Sequence, residues 1–479
     1  MSTSADKRRP HVRELQALEV SLCRLLEAEP HALARPDASD LRYALSLARV
    51  SAVALGQGPG AAVVEVGHAT DAYRGRLFEV IQPVLGGERV VRAGLADAVV
   101  RARLLAAQER RALLRLYGPR LTPEALDGAV RQRPLALVLG GGGGTSYVFV
   151  GAMFMLHEAG LTPDLISGAS MGAILGAFRA RQRDFPLERV RKVVAELSFR
   201  KVFRLFDTQS RFGMPATLKL YLRAAVAEHF TEDGRVLGMQ DMAIPLRIMV
   251  GGLHDVTHPE RYAHLLDGIE HVRSLAGRTA EIARALAELA GAPAKPVTVG
   301  ADELTRTFDV VDAMGFSAAV PGVIHYDVLR DDPRMFALLT QLLERERVAR
   351  LVDGGVADNL PSRAAWDAIQ QGAVGARDPF VLALDSFEPR FTFGPNLLFY
   401  PLMQLAQENS RVGRRLASYV VSFKNVLSPL AVVPTPDQMD WAIEAGRREF
   451  APHLNVIRRV LEPIHPTSAI THMAAHSAG

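Results

Sequence analysis

Five consecutive glycines, Gly140 to Gly144, sit inside an uncharged stretch that runs from Pro134 to Leu156. Nothing else in the chain restricts its fold as much. A run of that length without Asp, Glu, Lys or Arg approaches what a bilayer-spanning helix requires. Each glycine in a helix interior costs roughly 1 kcal/mol relative to alanine, however, and five in succession exclude such a helix. The same residues read instead as a short buried strand, Leu135 to Leu139, then a glycine loop, then a helix whose periodicity resumes near Val150.

A second unit of the same kind follows. Leu165 to Ser167 forms a strand, Gly168 to Ser170 a turn, and Met171 to about Arg181 a helix. Strand and helix in alternation predict an α/β fold with a mainly parallel sheet. Further strands are expected at Ile244 to Gly251, Pro296 to Gly300, Arg350 to Val352 and Phe380 to Leu384, with a helical insertion over 254–296 that is positioned to cover a site. Upstream, Leu15, Leu18, Leu22 and Leu25 recur at helical spacing, so residues 1–130 read as a helical region with turns at Gly56 to Gly60 and at Gly86-Gly87. The expected organisation is that N-terminal region, an α/β domain over 134–370, a strand and helices over 371–465 completing or packing on it, and a disordered tail over 466–479.

At 479 residues and 48% hydrophobic, the chain is long enough to bury an α/β core with attachments, which a single small binding module would not need. The net charge of +4 is local: residues 1–133 hold 20 Lys or Arg against 15 Asp or Glu, and the remainder 36 against 37. The densest basic run, Arg101 to Arg133, reads first as the wet face of a helix and second as a surface for an anionic membrane. No nucleic-acid partner is expected. Cys23 is the only cysteine, so no intramolecular disulfide or multi-cysteine metal site can form, and no metal or organic cofactor is implied. The polar, basic start, Met1 to His11, runs into charged helical text rather than an apolar signal core, so the expected location is cytoplasmic or peripheral to a membrane.

Three motifs carry chemistry. Gly168-Ala169-Ser170-Met171-Gly172 matches G-x-S-x-G, with an apolar strand before it and a helix after it. Small neighbours let the chain turn sharply and hold the Ser170 hydroxyl at a helix head, where the dipole favours developing negative charge. The glycine run supplies backbone N–H groups unobstructed by side chains, as a tetrahedral oxyanion requires. A phosphate loop would need Lys and then Ser or Thr after its glycines, and a dinucleotide fingerprint a further glycine or alanine; Thr145, Ser146 and Tyr147 stand there instead. Asp353-Gly354-Gly355 follows Leu351-Val352 and places a carboxylate at a strand end, although Asp-Gly alone is an ordinary turn.

The ordered set, a glycine loop after a first strand, G-x-S-x-G after a second and D-G-G after a third, resembles the patatin-like phospholipase family. Asp312 to Gly322, with Ala313, Ser317-Ala318-Ala319, Pro321 and Gly322, and downstream Asn359 and Pro361, extend the likeness over about residues 134–370. The resemblance implies the family's three-layer fold and makes Ser170 the nucleophile and Asp353 its base, without a catalytic histidine. It assigns Gly141, Gly142, Gly143 and Gly144 to the oxyanion hole and Gly168, Gly172, Gly354 and Gly355 to the motifs. The implied substrate is a lipid acyl ester. In one respect the chain departs: Thr145 and Ser146 stand where the family commonly has a basic residue and a glycine, which favours esterase over phospholipase. Other readings are acyl transfer through the same acyl-enzyme, a lipid-binding scaffold, or a Ser-His-Asp triad using His325 or His157. Membrane contact is expected to be peripheral; Asn396 to Leu405, apolar and aromatic, reads first as packed core and second as a contributor to that contact.

Overall fold

The computed structural model describes residues 11–56, 61–87, 90–205, 210–214, 216–254, 294–328, 330–387 and 400–471. The expected insertion, apart from its ends, lies outside these residues, as do 396–399 of the apolar segment and the last eight residues of the tail. The described residues form two compact units.

The first unit draws on residues up to 135 together with 367–380 and those from 453 on. Its helices include Val12–Ala28, Arg35–Arg49, Asp71–Leu85 and Leu95–Tyr117. The predicted stripe is the buried one: Leu15, Leu18, Leu22 and Leu25 all lie in the core, with Tyr43, Leu77 and Ala106. A small antiparallel hairpin, Ala52–Ala54 with Val63–Glu65, escapes sequence reading because three-residue strands carry no periodicity.

This core also contains Ile464 and Ile470. Thr467 Oγ1 donates to Asp40 at 2.7 Å. Arg42 Nη2 donates to the carbonyls of Val460 and Glu462 at 3.2 and 3.1 Å, satisfying acceptors that a helix end leaves open. Residues 466–471 are therefore packed, including a helix at Ser468–Thr471, where a disordered tail is expected from sequence. The segment from 453 on belongs with the N-terminal helices rather than the α/β domain.

The second unit, residues 136–366 and 381–452, is built on a seven-stranded sheet. Its strands are β1 (Leu135–Leu139), β2 (Leu165–Ala169), β3 (Leu246–His254), β4 (Lys295–Val299), β5 (Val348–Val352), β6 (Phe380–Asp385) and β7 (Tyr419–Ser422). The order is β4-β3-β2-β1-β6-β7, with β5 also on β3. The β1–β2, β2–β3 and β6–β7 pairs are parallel, whereas β4 and β5 run antiparallel to β3. β1, β2 and β6 are buried along their whole length, as expected for strands covered on both faces. A smaller sheet, Gly322–His325 with Ala216–Leu220 and Phe203–Leu205, is not anticipated from the sequence.

The uncharged run thus splits into β1, the glycines and the helix Val148–Glu158. Among the described residues, no helix is long and apolar enough to cross a membrane. Val148–Glu158 packs against Pro436–Leu461 at a crossing that admits no side chains. A Cβ on Gly151 would sit 2.1 Å from the Ile443 carbonyl oxygen, and one on Gly446 1.9 Å from that of Val148. Gly446→Ala forces these helices apart just after the glycine loop and is expected to destabilise the unit by about 1–3 kcal/mol. Denaturant unfolding of the purified variant checks this, and an unchanged midpoint would mean that the crossing yields freely.

Candidate active site

β4 covers one edge of β3 from Ile248 to Gly252, so β2, paired with Leu246 to Met249, and β5, paired with Gly251 to His254, must share the other edge. One runs parallel to β3 and the other antiparallel. Their C-terminal ends therefore meet head-on beside Val250. Ser170 is the first residue beyond β2 and Asp353 the first beyond β5.

Ser170 adopts φ 52 and ψ −126, a conformation that costs a side-chain-bearing residue of order 1–3 kcal/mol. The motif glycines leave room for it: a Cβ on Gly168 would lie 2.5 Å from the Gly172 oxygen, and one on Gly172 2.3 Å from the Leu139 oxygen. The turn is held by Ser317, at the end of the helix Val310–Ser317. Ser317 Oγ accepts the Ser170 N–H at 2.9 Å and donates to the Met249 carbonyl at 2.6 Å. The same short segment holds the aspartate, since the N–H groups of Asp353 and Gly354 donate to the carbonyls of Ala319 and Ser317 at 2.8 and 3.0 Å.

Asp353 is 5% exposed. Burial pushes its carboxyl up to about 6, against the opposing pull of the Ser170 hydroxyl and the Gly355 N–H. Its Oδ1 accepts that N–H at 2.7 Å, and its Oδ2 has no hydrogen-bond partner among the described residues. Gly354 and Gly355 are needed for space: a Cβ on the first would lie 2.2 Å from the Met249 oxygen, and on the second 2.6 Å from Asn359 Oδ1.

The glycine loop lies against the serine, with an added Cβ on Gly141 falling 2.9 Å from Ser170 Cβ. Its amides are not equivalent. Gly141 donates to the Asn359 carbonyl at 3.2 Å and Gly144 to that of Pro429 at 3.0 Å, which fixes the loop and leaves those two groups engaged. Gly142 and Gly143 have no acceptor among the described residues, so the four glycines expected to donate narrow to these two. Thr145 and Ser146, the departure from the family pattern, brace the loop from within. Their hydroxyls donate to the carbonyls of Gly142 and Gly140 at 3.0 and 3.3 Å.

Ser170, Asp353, Gly142 and Gly143 open onto a cavity of about 240 Å³. For comparison, an engineered apolar cavity of roughly 150 Å³ stays dry and takes up benzene. Asp353 is the only charged side chain among the described residues lining it, and the walls are mostly Val, Leu, Ile, Met and Phe. No described histidine lines it. His325 Nδ1 accepts the Ala216 N–H at 3.1 Å within the smaller sheet, and His157 ends the Val148–Glu158 helix, so neither joins the serine. Sequence reading misses the clasp by Ser317, although its segment stands out, and the contribution of Pro429, which nothing in the sequence signals.

The sharp strand-to-helix turn, the adjoining carboxylate and the glycine loop lie together on the mainly parallel sheet of an α/β protein. Residues 137–366, just under half of the chain, match the family model described as patatin-like phospholipase. A mouse relative, patatin-like phospholipase domain-containing protein 7, is 44% identical over 57 residues, which is 12% of this chain and 4% of that protein. Lysophospholipase nte1 of Aspergillus fumigatus is 46% identical over 52 residues, 11% of this chain and 3% of that one. Lysophospholipase NTE1 of Chaetomium globosum is 42% identical over 53 residues, 11% and 4% of the respective chains. The chain thus matches only a small part of these relatives' length.

Ser317→Ala removes the side-chain acceptor of the Ser170 amide. It is expected to slow covalent labelling of Ser170 by a fluorophosphonate about 10–100-fold through misplacement of the hydroxyl, while lowering the melting temperature by only a few degrees. Labelling at the wild-type rate would show that the turn holds its shape without the clasp.

Proposed function

We propose that this chain is a serine acyl hydrolase that cleaves acyl esters of lipids. The observation that carries the reading is the juxtaposition of a strained, buried serine and a buried aspartate at an apolar cavity. The family match to residues 137–366 supports the lipid substrate class, as do the names of the lysophospholipase relatives.

In the proposed mechanism Ser170 Oγ attacks the ester carbonyl while Asp353 accepts its proton. The amides of Gly142 and Gly143 donate to the resulting oxyanion, and the N-terminus of the Met171–Ala180 helix adds a favourable dipole. Collapse expels the alcohol, which takes the proton from Asp353, and leaves an acyl-enzyme. Water then attacks that ester, Asp353 again accepting a proton, and the fatty acid departs as Ser170 recovers its hydrogen. A carboxylate of ordinary pKa is a weak base near neutrality; displacement to about 6 brings Asp353 closer to the useful range.

Ser170→Ala is expected to abolish fluorophosphonate labelling and reduce ester hydrolysis by roughly 10³-fold or more. Retained hydrolysis in clean mutant protein would sink the assignment. Because Asp353 must be ionised to accept a proton, activity should rise with pH through about 6 and vanish below it. The folded chain holds this proton more tightly than the unfolded one, so its ionisation between about pH 4 and 6 opposes folding by roughly 3 kcal/mol. Asp353→Asn should therefore lose about 10²–10⁴-fold in activity, yet melt at higher temperature than wild type at pH 8 and show no such gain at pH 4. A lower melting temperature at pH 8 would refute the cost of the buried charge.

A further inference from the structure

The cavity does not spread evenly around the serine. Met171, Ile174, Leu175 and Phe178 all line it, and these positions form one stripe down the nucleophile helix. Facing them, Leu187–Glu196 contributes Val190, Val193 and Val194. One arm of the cavity therefore runs alongside the helix from Ser170 to Phe178.

At its far end stands a partition. Phe178, Phe185, Val190 and Val193 line both this cavity and a second one of about 20 Å³. Behind the partition the chemistry changes, for the small chamber is also lined by Arg181, Gln182, Arg189 and His229. Arg181 Nη2 pairs with Glu232 at 2.7 Å, and Arg189 Nη1 donates to Gln182 Oε1 at 2.6 Å. The Phe178 ring is fixed edge-on against Phe230, with centroids 5.0 Å apart. An alkyl chain reaching this point meets a braced aromatic wall, and beyond it polar groups already paired with one another.

We propose that this arm measures the acyl chain: the acyl group lies along the nucleophile helix, Phe178 stops its methyl end, and the preferred ester carries a single medium-length acyl chain of about ten carbons. This rests on the hydrolase reading above. The length follows from the helix rise of about 1.5 Å per residue, which puts Phe178 roughly 12 Å beyond Ser170. An extended chain advances about 1.2 Å per bond, so that distance holds about ten. Phe178 is a specificity-determining residue and takes no part in bond making.

The test is a series of p-nitrophenyl esters from butyrate to palmitate, used as monomers, with kcat/KM measured for wild type, Phe178→Ala, Phe178→Trp and Val193→Phe. Wild type should peak near the decanoate and fall roughly tenfold or more by palmitate. Phe178→Ala should move the peak up by about two to four carbons as the partition opens. Phe178→Trp and Val193→Phe should both move it down, and Phe178→Leu gives a smaller upward shift should the alanine variant fail to fold. Ser170-dependent hydrolysis whose chain-length profile is unmoved by all these variants, or that rises steadily to palmitate in wild type, overturns the measuring role and leaves the hydrolase reading standing. If no ester of any length is cleaved in a Ser170-dependent way, the hydrolase reading fails and this inference falls with it.

Discussion

One hydroxyl group carries the geometry of the site. Ser317 Oγ receives the amide of the residue after β2 and gives its hydrogen to a carbonyl of β3, while the Ser317 and Ala319 carbonyls take the amides that follow β5. Two strands that enter from opposite directions are thereby tied to one short segment. The helix that delivers Ser317 is itself anchored at its other end. Asp309 and Asp312 are buried there and pair with the half-buried Arg223 and Arg330 and the exposed Arg334, and Tyr326 donates to Asp312 at 2.6 Å. Such pairs add little net stability but resist displacement, because moving the arginines away strands buried carboxylates.

Burial links the reactivity proposed for the site to the substrate class proposed for it. The same apolar walls that would hold an acyl chain deprive Asp353 of solvation and raise its pKa towards neutrality. A more polar cavity would return the carboxyl to its ordinary range and weaken it as a base. Thr145 and Ser146 fit this arrangement, since their hydroxyls are engaged, the first with the Gly142 carbonyl and the Ser386 hydroxyl and the second with the Gly140 carbonyl.

Much of this was legible in the sequence, and the reasons are specific. G-x-S-x-G and D-G-G are readable because a Cβ at Gly168, Gly172 or Gly354 would strike backbone, so side-chain-free positions mark the turn itself. β1 and β2 are readable because buried parallel strands are continuous apolar runs. Contacts made by backbone carbonyls left no such mark. Asn359 and Pro429 engage two of the four loop amides through C=O groups that any residue possesses, so which glycines stay free depends on segments far along the chain. The packing of Ile464 and Ile470 with the first helices was likewise hidden, because two isoleucines in a polar tail form no period.

Translation order gives the Ser317 clasp a further meaning. A ribosome that has released residues through Ser170 has made the proposed nucleophile but neither the hydroxyl that steadies its turn nor the carboxylate proposed to receive its proton. The first arrives at Ser317 and the second only at Asp353. On the proposed function, products that end before Asp353 would therefore carry a serine without its proposed base, and copies of that length would leave a cell's lipids untouched.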